Sequence, residues 1–474
     1  MTVRVRFAPS PTGFMHLGNV RAAVLNYLFA RQSNGKFILR IEDTDANRNL
    51  EEAKVRIIQD LKWLKVSYQE GPLVGGNFGP YSQSERTEIY TKYLNELVTT
   101  QKIYRCFCLA DLLEDKRKKQ LAAGQPPRYD RTCLHLSADK IKAKVAANLP
   151  FIWRFSLNES QLFEINDLAK NKVTFDMKNF SDFAITRPDG SFTFIFVNFI
   201  DDWLMKITHI IRGEDHLSNT GMQAALYDAF AVKLPTFWHL PLICNQAGEK
   251  LSKRDFGFSL EDLKAAGFLS EAIINYLATI GASFEQEIQS LNDLSKSFNF
   301  GHITSTSTIK YDLDKLTWMN HKWIALLSPE DLFQRVLPFL HAAHPASINV
   351  SPEKLLLLIT KIRSDLRTLL DIGPLVGFLF SEPEISREKI NEIFSKEKAD
   401  IALAIIFNNR DKVLESTDLF LDAIKTQATQ QNLKTKEIFG PLRYVLTGKA
   451  EGFGMHDLFG MLDKETIKKR LYRI

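Results

Sequence analysis

Two short segments carry side chains suited to phosphate chemistry. The first reads Arg6-Phe-Ala8-Pro-Ser10-Pro-Thr-Gly13-Phe-Met-His16-Leu-Gly18-Asn19. A strand enters it, a tight Pro/Gly turn follows and a helix leaves. A helix start gathers anions because its first amides are unpaired and the dipole is positive there. Gly18 would let a nucleotide approach the backbone closely. His16 and Asn19 would donate to phosphate oxygens as charge builds in a displacement. Alone, His-Leu-Gly is a short match and His16 a helix cap; the fourteen-residue context favours phosphate binding. The second segment, Lys250-Leu-Ser-Lys253-Arg254, sets three cations within five residues. On a polar loop they suit a triphosphate whose charge they neutralise. By itself such a run is a solvated lysine-rich loop, and it gains weight from following the last strand of a sheet. The chain holds no Gly-x4-Gly-Lys-Ser/Thr loop and no Gly-x-Gly-x-x-Gly turn, which excludes a P-loop enzyme and a typical dinucleotide site.

A third constellation pairs Cys106-Phe-Cys108 with Cys133-Leu-His135, twenty-four residues apart. Three thiolates and an imidazole form a set of four that suits tetrahedral Zn²⁺. The alternative is three buried cysteines acting as small hydrophobes beside an unrelated histidine. Two Cys-x-Cys/His pairs with no spare ligand favour a closed, structural zinc site. Cys244 is left over and is expected to be buried beside the Lys250 loop.

These residues need elements to hold them. Val3, Val5 and Phe7 alternate with arginines as a strand does, and Val20, Val24, Tyr27 and Leu28 recur at helical spacing. Phe37–Asp43 reads as a second strand, and Asn49 with Glu52 as a capped helix start. Alternating strand and helix implies a parallel sheet covered on both faces. Residues 101–190 break the pattern with three of the four cysteines, the basic run 116–119 and a Pro-Pro pair. It then resumes: Phe192–Ile200 is a near-continuous apolar run, expected as a strand buried on both faces. Ile207–Arg212 and Leu240–Ile243 are expected strands and Met222–Phe230 a helix. After about residue 260 helical patterns dominate, with expected linkers at 283–309 and 341–352. The predicted fold is multidomain α/β plus all-α: a Rossmann-like parallel-sheet domain with an inserted domain, then helical domains.

Composition agrees. The chain has 474 residues, 45% hydrophobic and 25% charged, with a formal net charge of +5, so two to four soluble globular domains are expected. A mildly basic balance permits a polyanionic partner. No apolar run reaches the roughly 20 residues that span a bilayer. The chain opens on a strand pattern, so no leader is expected, and four cysteines are too few for a disulfide scaffold. A cytoplasmic location is expected.

The first two segments together resemble the paired signature motifs of class I aminoacyl-tRNA synthetases. Arg40-Ile-Glu42-Asp-Thr-Asp45, Tyr81-Ser-Gln-Ser-Glu-Arg86, Ile211-Arg212-Gly-Glu-Asp215 and Tyr311-Asp-Leu-Asp-Lys315-Leu-Thr-Trp318-Met-Asn320 narrow the resemblance to bacterial-type glutamyl-tRNA synthetases. It continues more weakly through Phe439-Gly-Pro-Leu-Arg443 and Leu446-Thr-Gly448. The resemblance implies ATP·Mg²⁺-dependent activation of L-glutamate to glutamyl-adenylate, then transfer to the 3′-terminal adenosine of tRNA-Glu. An enzyme that also or instead charges tRNA-Gln is the alternative. The resemblance implies a catalytic domain at 1–100 and 191–255, an inserted acceptor-binding domain at 101–190, a stem-contact domain at 256–325 and a helical anticodon-binding region at 326–474. By the same resemblance His16, Asn19, Lys250 and Lys253 are catalytic, and Gly18, His16, Asp215 and Lys253 hold ATP. Arg6, Ala8, Ser10, Glu42, Phe194, Asn198 and Arg212 bind glutamate, Glu42 through the ammonium. A γ-carboxylate needs a cation, and guanidinium binds carboxylate through two parallel hydrogen bonds, so Arg212 is expected to select the acid. The family usually has a tyrosine and a polar residue where this chain has Phe194-Ile195, so another group supplies that contact or glutamate binds more weakly. Some members carry a zinc site of the Cys106, Cys108, Cys133, His135 pattern. Arg443, Lys449, Lys468, Lys469 and Arg470 are basic candidates for the anticodon, each also readable as a solvated helix face. A monomer is expected.

Overall fold

The computed structural model describes residues 2–44, 51–252, 254–282, 284–297, 299 and 308–473. They form two units: Met1–Lys264 with Ser270–Met319, and Ala265–Leu269 with Asn320–Ile474. Along the chain run β1 (Arg4–Phe7), α1 (Leu17–Gln32), β2 (Lys36–Leu39), α2 (Glu51–Trp63), α3 (Thr87–Thr99), β3 (Ile103–Cys106), α4 (Ala110–Ala122) and α5 (Ala138–Ala146). There follow β4 (Ile152–Phe155), β5 (Leu162–Asp167), β6 (Asn171–Asp176), β7 (Phe183–Ala184), α6 (Phe194–Leu204), β8 (His209–Gly213), α7 (Leu217–Ala229), β9 (Thr236–Leu240) and β10 (Leu242–Cys244).

The alternating Val5 and Phe7, with Phe37, Ile38 and Leu39, are buried where β1 and β2 pair in parallel, Arg4 opposite Lys36 through Phe7 opposite Leu39. A second sheet has the order β6-β5-β9-β8. In it β8 and β5 run parallel to β9, while β6 is antiparallel to β5. β1 meets β8 through Thr208, whose N–H donates to the Arg4 carbonyl and whose Oγ1 accepts the Arg4 N–H. The sheet is therefore mixed rather than purely parallel, and its antiparallel edge comes from residues 162–176. Residues 103–184 also supply a separate antiparallel sheet, β3-β4-β7.

The run Phe192–Ile200 is a correction. From Phe194 it is helix α6, with Thr193 at its N-cap. Phe196, Val197, Asn198, Phe199, Ile200, Asp201 and Asp202 are all buried, so the helix is buried on every side, as a core helix is. A short apolar run does not distinguish such a helix from a buried strand. The helix outlasts the run because Asp201 and Asp202 are paired: Arg86 and Arg40 reach Asp201, and Arg6 and Arg40 reach Asp202.

The Asn49 cap lies outside the described residues, as does part of the 283–309 stretch. The 341–352 segment contains the end of a helix (Pro329–Ala343), a 3₁₀ turn (Pro345–Asn349) and the start of Pro352–Ile362. The second unit is helical to Lys464–Leu471. Much of its core comes from Ile406, Phe420, Ile424, Ile438, Leu442 and Leu458. Among the described residues no helix is long and apolar enough to cross a membrane.

Candidate active site and cysteine cluster

One cleft of about 650 Å³ gathers the expected residues of the first unit. The turn after β1 contributes Arg6, Ala8 and Ser10, and the start of α1 contributes His16, Gly18 and Asn19. Glu42 follows β2, Phe194 and Asn198 lie on α6, Arg212 and Asp215 lie at the end of β8, and Lys250 follows β10. Lys253 lies outside the described residues.

At the α1 end His16 is the N-cap. Its Nδ1 accepts the Asn19 N–H at 3.2 Å, and its ring stacks on Phe258 at 5.6 Å. Burial, then the charge of Lys250, lowers its pKa. The ring is thus neutral near pH 7, and with Nδ1 accepting, its proton sits on Nε2 as a donor. Gly18 has a nearer reason than nucleotide approach: a Cβ there would lie 3.0 Å from Nδ1 of His16 and 3.1 Å from its Cε1. The glycine makes room for the cap. Opposite, Lys250 Nζ donates to Asp215 Oδ2 at 3.0 Å. Burial opposes the charge on Asp215, but the hydrogen bond from Lys250 leads the effects that outweigh it and hold the carboxyl below its usual range. The Lys250 loop is pinned at both ends. Leu251 N–H donates to the Ile243 carbonyl, while Leu17 N–H and Leu260 N–H exchange bonds with the Phe258 and Met15 carbonyls. Cys244 is buried at the loop's base, as expected.

The other end is a buried polar chain. Arg40 is fully buried between Asp202 (2.6 Å), Glu42 (3.3 Å) and Asp201 (3.8 Å). These carboxylates outweigh burial and raise its pKa. Burial raises the pKa of Glu42, with Arg40 and Arg6 pulling the other way. Asn198 donates to Glu42 Oε1 and accepts from Gln223 Nε2 at 3.1 Å. Gln223 Oε1 accepts Arg212 Nη2 at 2.9 Å. Thr220 Oγ1 takes the same nitrogen at 2.6 Å, and His239 Nε2 faces Arg212 Nε at 3.4 Å. These partners of Arg212 are all uncharged, and its buried Nη1 has no partner. Burial, then Arg6, lowers its pKa to about 9. A buried cation with one free nitrogen bordering a cleft is ready for an anion. The ring of Phe194 lies 5.3 Å from that of His216. Burial, then Arg212, lowers the His216 pKa to about 4. Thr220, Gln223 and His239 were not singled out from the sequence as site residues; Thr220 and Gln223 follow the Arg212 motif by eight and eleven residues, whereas His239 lies 27 residues on.

Cys106, Cys108 and Cys133 place their sulfurs within 4.8 Å of one another. His135 is a correction: it is exposed and lies outside this group. The Tyr129 hydroxyl lies against the cluster, 3.3 Å from Cys106 Sγ and 3.6 Å from Cys108 Sγ. The same oxygen accepts the Cys133 N–H at 3.0 Å. Two anticodon candidates also change role. Arg470 is buried and donates to the Leu446, Phe378 and Ser381 carbonyls. Arg443 donates to the Ala450 and Phe453 carbonyls. Both brace the helical unit.

The cleft between the start of α1 and the loop after β10 is that of a class I aminoacyl-tRNA synthetase. The family described as "tRNA synthetases class I (E and Q), catalytic domain" matches residues 2–318, and "Anticodon binding domain" matches 331–474. The glutamate--tRNA ligase of Sulfurihydrogenibium sp. (strain YO3AOP1) is 39% identical over 476 residues, covering 99% of this chain and 98% of that protein. That of Bacillus subtilis (strain 168) is 34% identical over 480 residues, covering 100% and 99%. The crystal structure of a glutamate tRNA ligase from Elizabethkingia meningosepticum in complex with its amino acid has a TM-score of 0.85 at 31% identity, covering 100% of this chain and 99% of that one. The chain belongs to the bacterial-type glutamate--tRNA ligases.

Proposed function

We propose that this chain joins L-glutamate to tRNA-Glu. The α-carboxylate oxygen of glutamate attacks the α-phosphorus of ATP·Mg²⁺, and pyrophosphate leaves. A hydroxyl of the 3′-terminal adenosine then attacks the acyl carbon, and AMP leaves. His16 Nε2–H, Asn19, Lys250 and Lys253 stabilise charge on the phosphates, with Gly18 and Asp215 at the nucleotide. Glu42 receives the ammonium. Arg6, Ala8, Ser10, Phe194 and Asn198 shape the amino-acid pocket.

The observation that carries this reading is the unpartnered Nη1 of buried Arg212 in the cleft that also receives His16 and Lys250. A γ-carboxylate satisfies that nitrogen, whereas the neutral amide of glutamine leaves the guanidinium without a counter-charge. Arg212→Ala is expected to raise the glutamate KM by roughly a hundredfold or more in tRNA-dependent ATP–pyrophosphate exchange. A near-normal KM overturns the assignment. Charging of purified tRNA-Glu and tRNA-Gln decides the acceptor.

We also propose that Cys106, Cys108 and Cys133 hold a zinc ion, with the Tyr129 oxygen as fourth donor in place of His135. Three clustered thiols fit a soft-ligand structural site. When bound, the metal ties the end of β3 to the 129–133 turn. Residues 101–190 then present the acceptor end, 256–325 contact the stem and 326–474 read the anticodon. The enzyme works in the cytoplasm as a monomer.

A further inference from the structure

Arg212 lines the cleft and keeps one buried nitrogen, Nη1, without a partner, while other groups hold the Nε edge of its guanidinium. Asp167, the last residue of β5, is buried and pairs in register with Phe237 of β9. Its Oδ1 accepts the Ala169 and Lys170 N–H groups, each at 2.9 Å. Its Oδ2 accepts the His239 backbone N–H at 3.1 Å and lies 2.6 Å from His239 Nδ1. An oxygen that collects only donors is a carboxylate, so the proton between the pair sits on Nδ1. His239 is buried, with its ring parallel to that of Phe237 at 5.8 Å. Its Nε2 is then a bare acceptor, 3.4 Å from Arg212 Nε and 2.9 Å from Thr220 Oγ1. In the opposite tautomer Nε2 would carry a hydrogen aimed at the Arg212 N–H, donor against donor.

We propose that Asp167 and His239 are positioning residues for amino-acid selection: Asp167 fixes the His239 tautomer, and the bare Nε2 holds the Nε edge of Arg212 so that Nη1 faces the γ-carboxylate. The relay starts on the β5–β6 hairpin, within the segment that interrupts the α/β pattern, and ends at the selecting cation. A carboxylate that orients an imidazole, which in turn orients a reacting group, is a general device. Here the oriented group is a guanidinium. The proposal rests on the assignment of Arg212 to the γ-carboxylate.

The test is steady-state ATP–pyrophosphate exchange with full-length His239→Ala, His239→Gln, Asp167→Asn and Arg212→Ala, each checked by thermal melting. His239→Ala is expected to raise the glutamate KM about tenfold or more while the ATP KM stays within about twofold, and to erode the preference for glutamate over glutamine by a similar factor. His239→Gln, whose side-chain carbonyl can stand where Nε2 stood, is expected to recover most of the loss. Asp167→Asn is expected to follow His239→Ala. If Asp167→Asn does not fold, the two His239 variants decide. A folded His239→Ala with unchanged glutamate KM and selectivity overturns the relay, as does a parallel rise in both KM values. Arg212→Ala separates the two claims. If it loses glutamate while His239→Ala does not, only the relay falls; if it keeps glutamate, the Arg212 assignment falls first.

Discussion

At the scale of single residues, much of the chemistry turns on which nitrogen holds a proton and how much room it has. Gly18 gives the His16 ring its place, since a methyl group would crowd Nδ1 at 3.0 Å. Gly18→Ala is therefore expected to lower kcat by about ten- to a hundredfold through the displaced imidazole, with the melting temperature little changed. A variant with normal kcat removes this role. Glu42 gives a second prediction. Burial raises its pKa, and in its proposed role only the ionised form would bind the substrate ammonium, so proton and ammonium would compete. As pH falls through the raised pKa, kcat/KM for glutamate is expected to fall. In Glu42→Gln that acid limb should vanish along with most of the affinity. An acid limb unchanged in Glu42→Gln points to another group. His16 stood out in the sequence from its place in a glycine-rich helix start, while Glu42 and Arg212 were named because they fall in motifs that resemble the family's. Gln223, Thr220 and His239 were not: they are ordinary polar residues whose facing is set only when α7 and β9 pack together.

At the scale of elements, one misassignment left the site intact. Phe194 and Asn198 are four apart, which places them on one face of a strand and one side of a helix alike. The expected residues therefore met the cleft although the strand proved to be α6. The cysteine cluster went the other way. Its three thiols were legible from spacing, but the proposed fourth donor follows from the turn that carries Tyr129 against Cys106, which no ligand spacing encodes. Metal analysis of purified protein is expected to find one zinc per chain, and Tyr129→Phe to lower zinc affinity about tenfold or more while His135→Ala leaves it unchanged. Metal-free protein, or the reverse ranking of the two variants, overturns the ligand set.

At the scale of the whole molecule, the mixed sheet sets how far the interrupting segment is independent. β5 and β6 extend the sheet through β9, so residues 101–190 were readable as a break in pattern but not as a participant in the sheet. The five residues Ala265–Leu269 raise a similar point, because they group with the second unit although first-unit residues flank them. The Gly267 carbonyl accepts the Leu369 N–H, and the Leu269 N–H donates to Asn320 Oδ1 at 2.7 Å. Those two bonds are worth about 2 kcal/mol together. A fragment of residues 320–474 is expected to melt several degrees below the same fragment with 265–269 fused ahead of it through a flexible linker. Equal melting temperatures refute that dependence.

The same strap bears on synthesis. A chain made from its N-terminus emits residues 265–269 before the helices they belong with, and then returns to complete the earlier body. On the ribosome that short piece must wait, its backbone groups held by water, until the later helices emerge. The order of translation thus strands the first piece of the second unit until the last stretch of the polypeptide has been made.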